Sequence, residues 1–149
     1  MRTRITHVLL TPGVSTEAHI SFIPDADVLI DGNRIVYAGR SADAPAFEAD
    51  EVIDGSRCLA MPGLCNLHTH TAMTMLRSCG SDLPLERWLN DAIFPREKHL
   101  NDDAVRAGTD LGIMEMLRFG TTSFNDMYFH MDRVAESVRD TGMRALLSY

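Results

Sequence analysis

Short apolar runs alternate with turn-forming residues over the first sixty positions, a pattern that predicts strands at 5–10, 19–23, 26–30, 34–38 and 51–53. Asp31-Gly32-Asn33 separates two of these runs, and because Gly and Asn tolerate positive φ, 26–30 and 34–38 are expected to fold back as a hairpin. Residues 41–50, rich in Ala and Asp with one Pro, read as a surface loop. After Pro62-Gly63 the period changes. A strand at 63–68 is followed by helical stretches at 71–77 and 85–93, punctuated by Pro84 and Pro95. Asn101-Asp102-Asp103 then supplies a cap and first-turn acids for a long helix. In it Ala104, Ala107, Leu111, Met114 and Leu117 recur every three or four residues, and Gly120 ends it. A second strand at 121–127, a helix at 132–141 with Val134, Ala135 and Val138 facing inward, a stop at Gly142 and a third apolar strand at 143–149 follow. Strands alternating with helices in this way predict an α/β fold with a parallel sheet. The chain thus divides into an amino-terminal β region, 1–60, and a set of β/α units, 61–149.

Composition adds little to this picture but removes some classes. Of 149 residues, 45% are hydrophobic and 23% charged, as in ordinary globular domains. The net charge of −7 is scattered rather than gathered into runs, which disfavours nucleic acid and anionic membrane as partners. The apolar run Val8-Leu9-Leu10 is too short for a signal-peptide core or a membrane span. Three cysteines, Cys58, Cys65 and Cys79, form no C-x-x-C pair and are expected to be reduced thiols, buried as small hydrophobes, in a cytoplasmic protein.

Candidate chemistry is concentrated where the first parallel strand ends. Met61 to His70 is an apolar strand running into His68-Thr69-His70. Side chains two apart in a strand share a side, so the two imidazoles are able to serve one ion. The spacing permits that site without requiring it, since histidines also occupy surface and hydrogen-bonded core positions. Its location at the carboxyl end of a strand that leads into helices matches where β/α barrels build active sites. Two imidazoles are still short of a catalytic zinc site, which takes three protein ligands and an open position. H-E-x-x-H and the H-x-E with P-C-x-x-C pattern are both absent.

The stretch PGLCNLHTHTAMTMLRSCGSDLPLERWLNDAIFPREKHL resembles the strand-one region of the amidohydrolase superfamily, and within it the 5-methylthioadenosine/S-adenosylhomocysteine deaminases. H-T-H followed by M-T-x-L-R, D-L-P-L-x-x-W-L, P-x-E and the later G-T-T-x-F-x-D-M-Y carry the resemblance across most of the chain. It implies the first strands of a metal-dependent (β/α)8 TIM barrel, preceded by a small amino-terminal part of a composite β-sandwich. It further implies that His68 and His70 bind Zn2+ or another divalent transition metal such as Fe2+. Glu97 would then accept hydrogen bonds from the vicinal hydroxyls of a ribose, a task suited to two carboxylate oxygens. Without the motif, Glu97 between Arg96 and Lys98 reads as a solvated acid. Trp88 walls the substrate pocket on this view; its spacing with Leu85 and Leu89 equally fits a core position. Asp126 is placed to support the metal shell through a histidine. His7, His19, His99 and His130 carry no motif and are assigned to surface or helix-end positions.

The activity so implied is hydrolytic deamination of adenosine-type nucleosides to inosine-type products and ammonia, with a metal-activated water attacking the ring. The general acid and base belong to strands beyond Tyr149. A whole barrel takes about 250 residues, so the 149-residue chain alone is expected to be inactive, with exposed strand edges that require the missing part or promote association. Homo-oligomerisation is expected of the full-length protein. The competing readings are another heterocycle hydrolase of the same branch, of guanine or triazine type, and a non-catalytic scaffold that keeps the fold.

Overall fold

The computed structural model describes residues 1–13 and 19–149 and resolves the chain into two compact units, Met1–Pro62 and Gly63–Tyr149.

The first unit is one five-stranded sheet. Its strands are β1 (Arg2–Leu10), β2 (Ile23–Asp31), β3 (Arg34–Arg40), β4 (Glu51–Asp54) and β5 (Leu59–Ala60). The order is β3-β2-β1-β4, with β5 also on β1; the β2 and β3 pairings are antiparallel and those of β4 and β5 with β1 are parallel. The hairpin forms where the turn chemistry puts it: Asp31 faces Arg34 across a two-residue loop whose Gly32 has φ +60°. β1 carries a bulge around His7, which sits at φ +59°. That kink lets one strand pair with β4 up to Thr6 and then with β5 from Leu9. Val8, Leu10, Ala26 and Val28 form the core of this sheet, flanked by Ile5, Ile23, Ile30 and Ala60. No separate strand forms at 19–23. Ile20 makes an isolated bridge, Phe22 is exposed, and Ile23 instead heads β2 by pairing with Leu10.

The second unit contains three parallel strands in the order β6-β7-β8: β6 (Leu64–Thr69), β7 (Thr121–Met127) and β8 (Arg144–Ser148). A 3₁₀ segment, Thr71–Leu76, leaves β6. It is followed by α1 (Leu85–Arg87), a π-helical stretch Trp88–Ile93 and α2 (Phe94–Glu97). The crossovers back to the sheet are α3 (Asp102–Arg118) and α4 (Met131–Thr141). The Asn101 side chain caps α3 by accepting from Ala104 N at 2.9 Å, and Asp102 and Asp103 lie in its first turn, where they complement the helix dipole.

The buried face of α3 is not the one its larger apolar residues mark. Ala107, Met114 and Leu117 are exposed, whereas Val105, Gly108, Thr109, Gly112 and Ile113 are buried. Close backbone approach decides the orientation. A Cβ on Gly108 would collide with the carbonyl oxygen of Ala72, and one on Gly112 would lie 2.6 Å from Thr71 Cγ2. The glycine face therefore docks on the 3₁₀ segment, and Thr74 Oγ1 donates to Gly108 O at 2.6 Å across the contact. In α4, Met131, Val134 and Ser137 are buried, Val138 is partly so, and Ala135 faces solvent instead of the core. Two apolar clusters result: Ala72, Val105, Met131 and Val134, and Ile113, Phe124 and Met143.

All three cysteines are unpaired, but the expectation that they are buried is not met. Cys58 and Cys65 are exposed and Cys79 is partly exposed, because Cys65 lies on a β6 whose side chains are mostly open. Among the described residues no helix is long and apolar enough to cross a membrane.

Candidate functional site

β6 ends at Thr69, and its parallel register sets Thr69 beside Asp126 of β7. His68 is the penultimate residue of the strand and His70 the first beyond it, with φ −130° and ψ 75°. Their rings meet edge to face, with centroids 5.1 Å apart and planes at 77°. The Nδ1 of His70 lies 2.6 Å from the carbonyl oxygen of Met127 at the end of β7. A carbonyl only accepts, so Nδ1 is the donor, and in the neutral ring Nε2 is the nitrogen that carries the free lone pair. A backbone carbonyl holding one imidazole nitrogen is a recurrent way of fixing a metal-binding histidine. Two imidazoles sharing a tetrahedral zinc at roughly 2.0–2.1 Å would have centroids about 5 Å apart, which the pair matches. The donor set stops at two: among the described residues no group of three or more His, Cys, Asp and Glu side chains gathers round one point.

Asp126 is 1% exposed, and among the described residues its carboxylate is not hydrogen-bonded to a histidine. It accepts instead from the backbone N–H of Thr71, at 3.2 Å to Oδ1 and 3.3 Å to Oδ2. It thus anchors the residue next to His70 and not an imidazole, because the Thr69–Asp126 register points the carboxylate at the start of the 3₁₀ segment. Asn125 joins the same strand ends: its Nδ2 donates to Leu67 O at 3.1 Å, and its carbonyl accepts from Thr69 Oγ1 at 2.9 Å.

On the other side of His70 lies a cavity of about 580 Å³, lined by His70, Trp88, Glu97, Tyr128, His130 and Tyr149 together with apolar side chains such as Met73 and Ile93. Trp88 is partly exposed on this wall, and its indole N–H donates to Cys79 O at 3.0 Å. Glu97, at the end of α2, is partly buried, and its Oε1 accepts from the Tyr128 hydroxyl at 2.7 Å. Its neighbour Arg96 turns back to donate to Ala92 O at 2.6 Å. His68 does not line this cavity; it borders a smaller hollow of about 110 Å³ with Asn125, Asp126 and Ser148. The structure therefore brings His70, Trp88 and Glu97 to one cavity, with His68 adjoining it through its ring contact with His70.

Tyr128 is a member of the site that spacing alone does not reveal. It follows β7 directly, its ring is 5.9 Å from that of His70, and burial followed by the neighbouring Glu97 pushes its phenol well above the usual range. The only sign of it in sequence is its place at the end of the G-T-T-x-F-x-D-M-Y stretch. His130, read as a helix-end residue, does stand immediately before α4, but it also faces the cavity. It has φ +52°, and its Nδ1 is 2.7 Å from Asp102 Oδ1. His7 is exposed beside Asp25, whose hydrogen bond raises its pKa, and His19 and His99 are exposed.

Parallel β/α units with paired histidines at the mouth of the first strand agree with the comparison to known families: the amidohydrolase family model matches residues 59–149, and the chain belongs to that family. Its relatives narrow the likeness. It is 53% identical over 122 residues to a 5'-deoxyadenosine deaminase of Methanothermobacter thermautotrophicus, a match covering 82% of this chain and 28% of that protein. It is 52% identical over 124 residues to a 5-methylthioadenosine/S-adenosylhomocysteine deaminase of Thermococcus kodakarensis, covering 83% of this chain and 28% of that one. Among solved structures, a zinc-bound adenosine deaminase from Xanthomonas campestris aligns with a TM-score of 0.86 at 36% identity, over 97% of this chain and 33% of that chain. The matched region thus covers only 28–33% of the length of these relatives.

Proposed function

We propose that this chain is the amino-terminal part of a metal-dependent hydrolytic deaminase that converts adenosine-type nucleosides, of the 5-methylthioadenosine and S-adenosylhomocysteine class, to inosine-type products and ammonia. The observation that carries the reading is that His70 and Glu97 face one cavity, each held by a hydrogen bond to the segment 127–128. In this reading His68 and His70 contribute two ligands to a divalent ion, Zn2+ or Fe2+, and the remaining ligands come from further strands of a (β/α)8 TIM barrel. The ion, when bound, supplies Lewis acidity that lowers the pKa of a coordinated water. The chain's own residues do the rest of the positioning. His70 presents Nε2 because Nδ1–H is engaged by Met127, and Asp126 secures the backbone beyond it. Glu97 keeps Oε2 and a further lone pair on Oε1 to accept from a ribose diol. Trp88 closes one wall against the purine or sugar.

The same proposal extends to the five-stranded sheet as one layer of a composite β-sandwich, to a cytoplasmic location consistent with unpaired thiols, and to self-association of the full-length protein. The test is Glu97→Ala in the complete polypeptide, assayed by ammonia release from adenosine nucleosides and by metal analysis. Loss of two hydrogen bonds to a charged acceptor should lower kcat/KM by about a hundredfold or more while metal content stays unchanged. Undiminished turnover would remove the nucleoside assignment, and bound metal without ammonia from any heterocycle would support a non-catalytic scaffold.

A further inference from the structure

Tyr128 joins the two ends of the cavity. Its ring lies against His70, with centroids 5.9 Å apart, and against Phe129 at 5.0 Å. Its hydroxyl, at the far end of the same rigid phenol, donates to Glu97 Oε1 at 2.7 Å. The backbone on its amino-terminal side is fixed as well, because Met127 closes β7 through pairing with Ser148 and accepts from His70 Nδ1. Two features make this more than local packing. Glu97 is the last residue of the continuous helical run 85–97, so its side chain leaves the helix at its carboxyl end, beside Tyr128. The hydroxyl also takes up one Oε1 lone pair and leaves Oε2 open, which restricts the orientations in which Glu97 can meet a pair of neighbouring donors.

We propose that Tyr128 is a positioning residue for diol recognition, setting the orientation of Glu97 and its distance from the imidazole end of the cavity. It thereby favours ligands with two vicinal hydroxyls over those without. The proposal rests on the nucleoside-deaminase reading and adds to it a residue that acts through Glu97.

The complete enzyme is assayed for ammonia release on adenosine and on 2′,3′-dideoxyadenosine, as wild type, Tyr128→Phe, Glu97→Gln and the double variant. Phe keeps the ring and removes only the donor. Tyr128→Phe should lower kcat/KM for adenosine about tenfold, chiefly through KM, and leave the dideoxy compound within about twofold of wild type. In the Glu97→Gln background the same change should cost little more. Equal losses on both substrates, an unchanged adenosine value, or a full additive loss in the double variant each overturn the assignment while the deaminase reading stands. A wild type that releases no ammonia from any adenosine nucleoside removes that reading and this one together.

Discussion

Two carboxylates, Asp27 and Glu97, show how far surroundings decide what a residue does. Asp27 is 1% exposed, and burial alone would oppose its charge. Hydrogen bonds from Ser41 Oγ at 2.7 Å and from Arg4, whose ion pair closes at 2.6 Å, outweigh that cost and hold the carboxyl below the usual range. A folded-state pKa below the unfolded one gives stability that is present above the unfolded value, about 4, and lost as pH falls through the folded value. Asp27→Asn should therefore lower stability by about 1–3 kcal/mol at neutral pH, a range that allows for the partial exposure of Arg4. Urea denaturation at neutral pH and near pH 3 checks this: the gap between variant and wild type should narrow in acid. Glu97 has no such counter-ion among its hydrogen-bond partners; a neutral phenol holds it at a cavity wall. At this scale a period of two foreshadows the ring contact of His68 with His70, although His70 lies just past the strand and the two side chains border different hollows. Tyr128 is not foreshadowed, since nothing in a lone tyrosine shows that its hydroxyl meets a carboxylate 31 positions away. The partner of Asp126 is hidden for a similar reason: its register with Thr69 brings it to a backbone N–H, that of Thr71.

Among the elements, strand positions followed their apolar runs except at 19–23, where no separate strand forms, and the second parallel strand occupies 121–127 as its pattern predicts. Helix faces were harder to read. In α3 the heptad-like spacing of Ala107, Met114 and Leu117 marks the solvent side, because close backbone approach, not hydrophobic size, sets the packing. Gly108 and Gly112 let the helix backbone come against the 3₁₀ segment that starts beside His70, a role invisible to any scale that scores glycine as a helix breaker. This yields a prediction opposite to propensity. Gly108→Ala, which would stabilise an exposed helix by about 1 kcal/mol, should instead destabilise by about 1–3 kcal/mol through overpacking against the Ala72 carbonyl. Thermal unfolding measures the sign directly, and a raised Tm would show that the segment yields at no cost.

For the second unit, the alternation of strands and helices was enough to give the parallel sheet, whose strands are joined by one long crossover, 70–120, and one short one, 128–143. No complete metal site can be read from it: His68 and His70 meet through their rings, and among the described residues no three His, Cys, Asp or Glu side chains gather where an ion could be held. The 149-residue chain expressed by itself is accordingly expected to release no ammonia from adenosine and to hold zinc far more weakly than the complete polypeptide. Equilibrium dialysis with zinc and an ammonia assay on the isolated chain check both halves; stoichiometric tight binding would mean that two imidazoles suffice.

The bond from His70 to the Met127 carbonyl ties the setting of this ring to strand pairing. A slip of one position between the first two parallel strands would offer the ring a different peptide group and release its tautomer, so variation around His70 has room in the connecting loops but little in the ladder beneath them.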